Sequence, residues 1–409
     1  MLTLSGFQSL RGYDRRFWAL LAGFTASSMG FAMIVPFVSL YFHEELGVSM
    51  KWVGAFFLTT AVVRSLFQGF AGDLSDRVGR VRLMVWGQGA RAVVFGVMAW
   101  VVFAGFGFWT AALVLLVSYI AGAFYQPVAN AAVSDLVPAR RRIEAYAITR
   151  IAHNLGWGIG PMLGGLVAEA GYGWLFVAGA ATSLASAWMV LRFVSETRAQ
   201  SGVATRGRWN DFLAVREDPA FMMFCGISVL VFVVMAQWLS TLPVDASDRL
   251  GVSPSQLGVV FGLNGAMVVL LQLPVTLVLK RFSTLTVLVL GSAFYGMAFL
   301  TVPLAGSFAG LVGCMVAITL AELVYAPASN TMVSLMAPQP RMGRYMGVFG
   351  LTNSFGWSAG PFLGGVLLDG FARQPWVVWG SIAAVAFAAA GGYVATRPLY
   401  PADPVVGEG

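Results

Sequence analysis

The chain has 409 residues, 58% of them hydrophobic and only 11% charged. A soluble domain carries about 25% charged residues, so this sequence lacks the polar atoms to cover a water-facing surface. A soluble enzyme, a nucleic-acid binder and a disordered protein are excluded, and the net charge of +7 informs through its placement rather than its sum.

At about 20 apolar residues per spanning helix, twelve spans use roughly 240 residues and leave only short connections. In chain order the apolar segments are 17–42, 52–71, 83–104, 109–133, 146–170, 173–194, 220–243, 256–279, 285–305, 308–331, 346–368 and 374–396. The first follows Arg11, Arg15 and Arg16 and is too long for a signal-peptide core, so it reads as a retained span. Pro, Gly and Ser inside several segments are tolerated in membrane helices. The fold class expected is an all-α membrane protein with twelve transmembrane helices.

Of the 25 basic residues, 19 lie between spans on the side of the N-terminus. Three (Lys51, Arg249, Arg373) lie opposite and three (Arg64, Arg91, Arg150) inside spans. The positive-inside rule then makes both termini cytoplasmic, in a multi-pass protein expected in a prokaryotic cell membrane.

The longest polar stretch divides the spans six and six: an N-terminal half 1–194, a cytoplasmic linker 195–219 and a C-terminal half 220–409. The halves repeat each other. Tyr125-Gln126-Pro127 and Asn130 recur as Tyr325-Ala326-Pro327 and Asn330, and Gly156-Trp157, Gly160-Pro161 and Gly164 as Gly356-Trp357, Gly360-Pro361 and Gly364, all 200 residues on. Near the front, Leu46-Gly47-Val48-Ser49 recurs as Leu250-Gly251-Val252-Ser253, 204 residues on. Six spans per half is an even number, so the repeats are parallel. Two parallel six-helix repeats point to a secondary transporter with its substrate path near the midplane.

The loop Gly72-Asp73-Leu74-Ser75-Asp76-Arg77-Val78-Gly79-Arg80-Val81-Arg82 joins spans two and three. Its glycines allow a short turn, Asp76 suits a helix N-terminus, and its arginines suit nearby acids. Gly72, Asp73, Asp76, Arg77, Gly79 and Arg80, with Asp135 and Arg150, are therefore candidates for a conformational latch. The alternatives are a bare topology signal for the loop and a solvated helix end for Asp135.

The Gly72–Arg82 loop resembles the signature between helices two and three of the major facilitator superfamily. The Gly156–Gly165 run resembles the helix-five signature of its twelve-span drug:proton antiporters. The resemblance covers essentially the whole chain and implies the two-repeat fold and multidrug-type efflux by alternating access. In the fourth span, Tyr119 stands where that family often has an arginine.

Gly156, Gly160 and Gly164, and their copies Gly356, Gly360 and Gly364, have i, i+4, i+8 spacing, which lets membrane helices approach closely. With Pro161 and Pro361 they form a helix-packing motif in spans five and eleven, expected at the junction of the halves. Glu322 is the acid that falls deep in a span. Intramembrane acids are functional candidates by default, so Glu322 is a candidate proton carrier with Tyr325 one turn on; a hydrogen-bonded structural Glu is the alternative. Arg64 and Arg91 are expected to snorkel or pair locally. His153 suits either a proton relay or a satisfied polar role, and His43 is expected to be solvated. Tyr125, Trp157, Trp238 and Trp357 are the aromatics expected nearest a central cavity.

No G-x-x-x-x-G-K-[ST] motif is present, no Cys/His cluster suggests a metal, and no cofactor or enzymatic activity is expected. The leading reading is a proton-coupled exporter of amphipathic or cationic small molecules, monomeric in the bilayer. A facilitator or importer of a polar or lipid-like solute is the alternative transporter, and a non-transporting receptor or scaffold the alternative of another class.

Overall fold

The computed structural model describes residues 12–138, 141–196, 214–338 and 341–401, apart from the side chains at 69, 71–73, 76, 143 and 214. Among the described residues all regular structure is helical.

The first span, Arg15–Leu40, widens into a π-helical turn over Tyr41–Glu45. Met50–Val78, Arg80–Phe103, Arg142–Glu169 and Tyr172–Phe193 are the second, third, fifth and sixth spans. The fourth is broken at Phe124 into Phe108–Ala123 and Tyr125–Leu136. Pro127 explains that break, because its ring crowds the carbonyl four residues back, at Ala123, and it has no N–H to give. Its repeat partner Pro327 is accommodated inside the continuous tenth span, Phe308–Met336. The seventh span is broken at Ala236 into Pro219–Met235 and Gln237–Leu250. Pro254–Leu279, Thr284–Leu300, Met342–Phe371 and Pro375–Ala395 are the eighth, ninth, eleventh and twelfth.

Ten of these segments are long and apolar enough to cross a membrane by length and composition. The fifth and eleventh spans fall outside that set, and they are the two that carry the glycine stripes. The connections are short: Gly105 (φ +71°) and Gly171 (φ +120°) supply left-handed turns after the third and fifth spans. Asp218 caps the seventh span by accepting from the Phe221 N–H at 3.0 Å, with Pro219 next to it at the helix start.

The chain clusters into two compact units. One comprises Met1–Val38 with Val62–Ala204, the other Ser39–Ala61 with Thr205–Gly409. In the first, the first span is the packing centre. Gly156 lies against Thr25, Ser28 and Met29, Gly160 against Met29 and Ala32, and Gly164 against Met33 and Phe37. In the second, the seventh span has that role: Gly356 lies against Val229 and Phe232, Gly360 against Val233 and Ala236, and Gly364 against Gln237 and Thr241. The sequence led to the junction of the halves for these stripes; these neighbours of each stripe belong to a span of its own unit. The buried Gln237 fits the same contact, donating to the Gly360 carbonyl at 2.9 Å.

The start of the second span belongs to the second unit for specific reasons. The Asp369 carboxylate accepts from the Met50 and Lys51 N–H groups at 2.8 and 2.9 Å, capping that helix. Gly54 lies against the backbone of Pro361 and Phe362, and Gly365 against that of Met50. His43, expected in solvent, bonds Asp248 at 3.1 Å and the Val48 carbonyl at 3.1 Å, while Ser247 donates to Glu44.

Candidate functional site

The first unit holds a half-open cavity of about 50 Å³. Arg64 reaches it from the second span and Arg91 from the third; Phe24, Ser27, Ser28 and Phe31 line it from the first, Tyr119, Gly122, Tyr125 and Gln126 from the fourth, and His153 and Trp157 from the fifth. Both arginines lie near mid-helix. Fourteen residues separate Arg64 from each end of its helix, about 21 Å at 1.5 Å per residue. Arg91 lies about 17 Å from one end of its helix and 18 Å from the other by the same measure. Both line this cavity and so turn inward rather than toward an interface.

What they meet there is aromatic. The Arg91 guanidinium carbon lies 4.7 Å from the Phe31 ring centroid and 5.2 Å from that of Phe95, and Arg64 lies 5.9 Å from Phe31. Such cation–π contacts contribute about 0.5–2 kcal/mol each, less than the several kcal/mol that desolvating an ion costs. Arg91 is only 6% exposed and its Nε makes no hydrogen bond among the described residues. Neither guanidinium forms an ion pair among the described residues, and no Asp or Glu lines the cavity. Also in the lining, His153 Nδ1 is 2.9 Å from the Ser28 hydroxyl. Gln88, buried beneath, donates to Ser27 at 2.7 Å. Tyr125 stacks on Phe24 and takes a bond from Ser186 at 2.9 Å.

In the second unit Glu322 is partly exposed near the middle of the tenth span. The Asn264 amide donates to its carboxylate at 3.0 Å and to the Thr319 hydroxyl at 3.0 Å. Asn264 and Thr319 are buried, as is Tyr295, whose hydroxyl has no partner among the described residues. Tyr325 does not join Glu322. Its hydroxyl bonds that of Tyr393 at 2.9 Å, which in turn bonds Ser228 at 2.9 Å, a closed chain of buried hydroxyls. Trp238 packs edge-on to Trp357 at 6.3 Å, and its indole N–H has no partner among the described residues.

Glu322 is not the only acid within a span. The seventh helix continues past the expected end at 243 to Leu250, which brings in Asp245 at 4% exposure. Asp245 pairs with Arg249 at 3.1 Å and accepts from the Trp379 indole at 3.1 Å; Arg249 also donates to the Val302 and Ala305 carbonyls. All of these contacts to Asp245 are made at its Oδ2.

At the loop between spans two and three, Gly79 takes φ +106°, and Arg80 pairs with Asp135 at 2.8 Å. Glu196 accepts from the Val81 and Arg82 N–H groups at 3.1 and 3.3 Å, capping the third span in a role the sequence did not single out. Gly79 lies against that carboxylate. Arg77 and Arg150 are exposed. The side chains of Gly72, Asp73 and Asp76 lie outside the described residues.

These features have known counterparts. The family model described as Major Facilitator Superfamily matches residues 20–248 and 239–408. The chain is 27% identical over 357 residues to the uncharacterized MFS-type transporter YttB of Bacillus subtilis, covering 86% of this chain and 87% of that one. It is 24% identical over 371 residues to the multidrug resistance protein MdtH of Klebsiella pneumoniae, covering 88% and 90%. In fold it resembles a POT family transporter solved with 5-aminolevulinic acid, at TM-score 0.77 and 13% identity over 95% of this chain and 97% of that one. Family match, twin repeat and helical architecture agree, and the chain is a multi-pass membrane transporter of the Major Facilitator Superfamily.

Proposed function

We propose that this transporter is a proton-coupled exporter of amphipathic small molecules, working by alternating access with Glu322 as the proton carrier. The observation that carries this reading is the Glu322 carboxylate itself. It sits near mid-span, partly exposed, with one amide donor, Asn264, and no cation among its hydrogen-bond partners. An acid so placed can take and release a proton as access alternates, whereas Asp245, locked to Arg249, cannot. The relative named as a multidrug resistance protein supports export. The sequence pointed to cations among the substrates. Two arginines and no carboxylate around the first unit's cavity argue instead for substrates without net positive charge.

The same reading puts both termini on the cytoplasmic face of a prokaryotic cell membrane, makes 1–194 and 220–409 the moving halves, and takes the monomer as the working unit. The Gly72–Arg82 loop with Asp135 acts as the latch. In vesicles with an imposed pH gradient, an exporter drives accumulation of members of a dye panel, and Glu322→Gln abolishes gradient-driven movement while leaving folding intact. Undiminished transport in that variant rules the coupling role out. A carrier of a polar solute is the second reading, favoured by Arg64, Arg91, Tyr119 and Gln126 in one cavity.

A further inference from the structure

Two arginines turned toward one cavity, with no carboxylate beside them, form an arrangement that lacks its counter-charge. We infer that the first unit's cavity is an anion site, in which Arg64 and Arg91 hold a carboxylate, sulfonate or phosphate group of the transported molecule and Phe31 and Trp157 take its apolar body. This rests on the transporter reading for why the molecule is there, and deepens it by naming the substrate class.

The geometry carries the inference in three ways. Arg91 is more than nine-tenths buried, with its Nε unbonded among the described residues, so a donor is available where water is scarce. A guanidinium presents planar paired donors that match an oxyanion. Phe31 contacts both guanidinium groups on its face, so an aromatic surface already adjoins the charged end, as a molecule with an apolar body and an anionic head requires. Trp157 stands edge-on to Phe31 at 6.1 Å.

The internal repeat explains why the charge is unopposed here. At the 200-residue spacing, Tyr119 and Gly122 correspond to Thr319 and Glu322. Where the second half has its acid, the first has a glycine, and the Arg91 Nη1 lies 3.2 Å from where a Cβ on Gly122 would sit. A glycine at this place leaves room for the guanidinium and removes the one carboxylate that the repeat would supply. The place that carries the acid in the second half thus lies beside the Arg91 guanidinium in the first.

The test uses the full chain purified in detergent, with three probes of one shape: 2-naphthoate, 2-naphthalenemethanol and 2-naphthylmethylammonium. Benzoate, naphthalenesulfonate, phenylphosphate, chloride and inorganic phosphate complete the panel. Thermal stabilisation and equilibrium dialysis should show saturable binding of the organic anions, at least tenfold tighter than the neutral and cationic analogues. Arg91→Gln and Arg64→Gln should each weaken it tenfold or more, and Arg91→Lys by less than Arg91→Gln. Gly122→Asp should abolish it by supplying an internal counter-charge, into a space bounded by the flexible Arg91 side chain. Because Arg91→Lys and the probe series on the unaltered chain do not require Arg91→Gln to fold, the result stands without it. Equal or tighter binding of the cation, binding unchanged in the arginine variants, absence of binding by every organic anion, or stabilisation by chloride or inorganic phosphate as strong as by the organic anions would each overturn the inference. The assay needs no gradient, so failure of coupling at Glu322 and failure of this site are read separately.

Discussion

Arg80 and Asp135 meet at 2.8 Å, with their side chains only 10% and 20% exposed, and so tie the start of the third span to the end of the fourth. They stand 55 positions apart in the chain, at the mouth of the loop that carries the family signature. The pair lies at the first unit's own helix ends, where Glu196 caps the same third span.

Asp135→Asn leaves the Arg80 guanidinium with a weaker partner in a nearly closed place. A charge-assisted hydrogen bond contributes about 1.5–3 kcal/mol, and partial exposure puts the expected loss at the low end, about 1.5 kcal/mol. Thermal unfolding in detergent should show it, and the Arg80→Met, Asp135→Leu double variant should lose less than the singles added together. As part of the proposed latch, Asp135→Asn should also slow turnover while leaving substrate affinity within about twofold. Wild-type turnover at reduced stability would separate the structural pair from the latch.

Asn264→Ala removes the amide donor to Glu322. If Glu322 carries the proton, gradient-driven transport should fall about tenfold, the low end of a bond to a charged group. Thr319→Val should fall much less, because the Thr319 hydroxyl donates to the Met315 carbonyl and only accepts from Asn264. Initial rates in vesicles, normalised to protein, distinguish the two. Equal losses would mean that the cluster matters for packing alone.

The glycine stripes make a sharper prediction than size alone allows. A Cβ at Gly160 would fall 2.6 Å from the Met29 carbonyl oxygen, and one at Gly360 2.7 Å from that of Val233. Alanine is already too large, since backbone cannot move aside as a flexible side chain can. Each Gly→Ala should cost about 1–3 kcal/mol and reduce expression. Gly350→Ala, on the same eleventh span with open space around it, should be neutral or stabilising by about 0.4–1 kcal/mol. Measured beside export, a proton leak confined to Gly160→Ala would show an antiport role beyond packing; matched losses at 160 and 360 are expected from the repeat.

Asp245→Ala should behave unlike any Glu322 variant. It leaves Arg249 without its carboxylate and Trp379 without its acceptor, and breaking a buried pair costs about 3–5 kcal/mol. The expected outcome is a large fall in thermal stability, with the pH dependence of residual transport unchanged. A shifted pH profile would move Asp245 into the coupling machinery.

The sequence by itself determined the membrane class, the repeat and the positions where helices must approach closely. Each is a one-dimensional property: apolar length, matching residues at 200, and glycine at every fourth place. It also marked Glu322, since an acid deep in an apolar run is visible without knowing its neighbours. The tertiary structure decided what those residues touch. Membrane helices are apolar toward lipid and toward each other, so their pattern does not show which face turns inward. That is why the stripes proved to face spans one and seven, and why Tyr325 found Tyr393 rather than Glu322. Asn264 reached Glu322 across 58 residues, and Asp245 was hidden by an expected helix end seven residues too early. Arg64 and Arg91 read in sequence as isolated charges that would reach for an interface. Their convergence on one cavity depends on the rotation of two helices about their axes, set by packing around Phe31 and the bare backbone of Gly122.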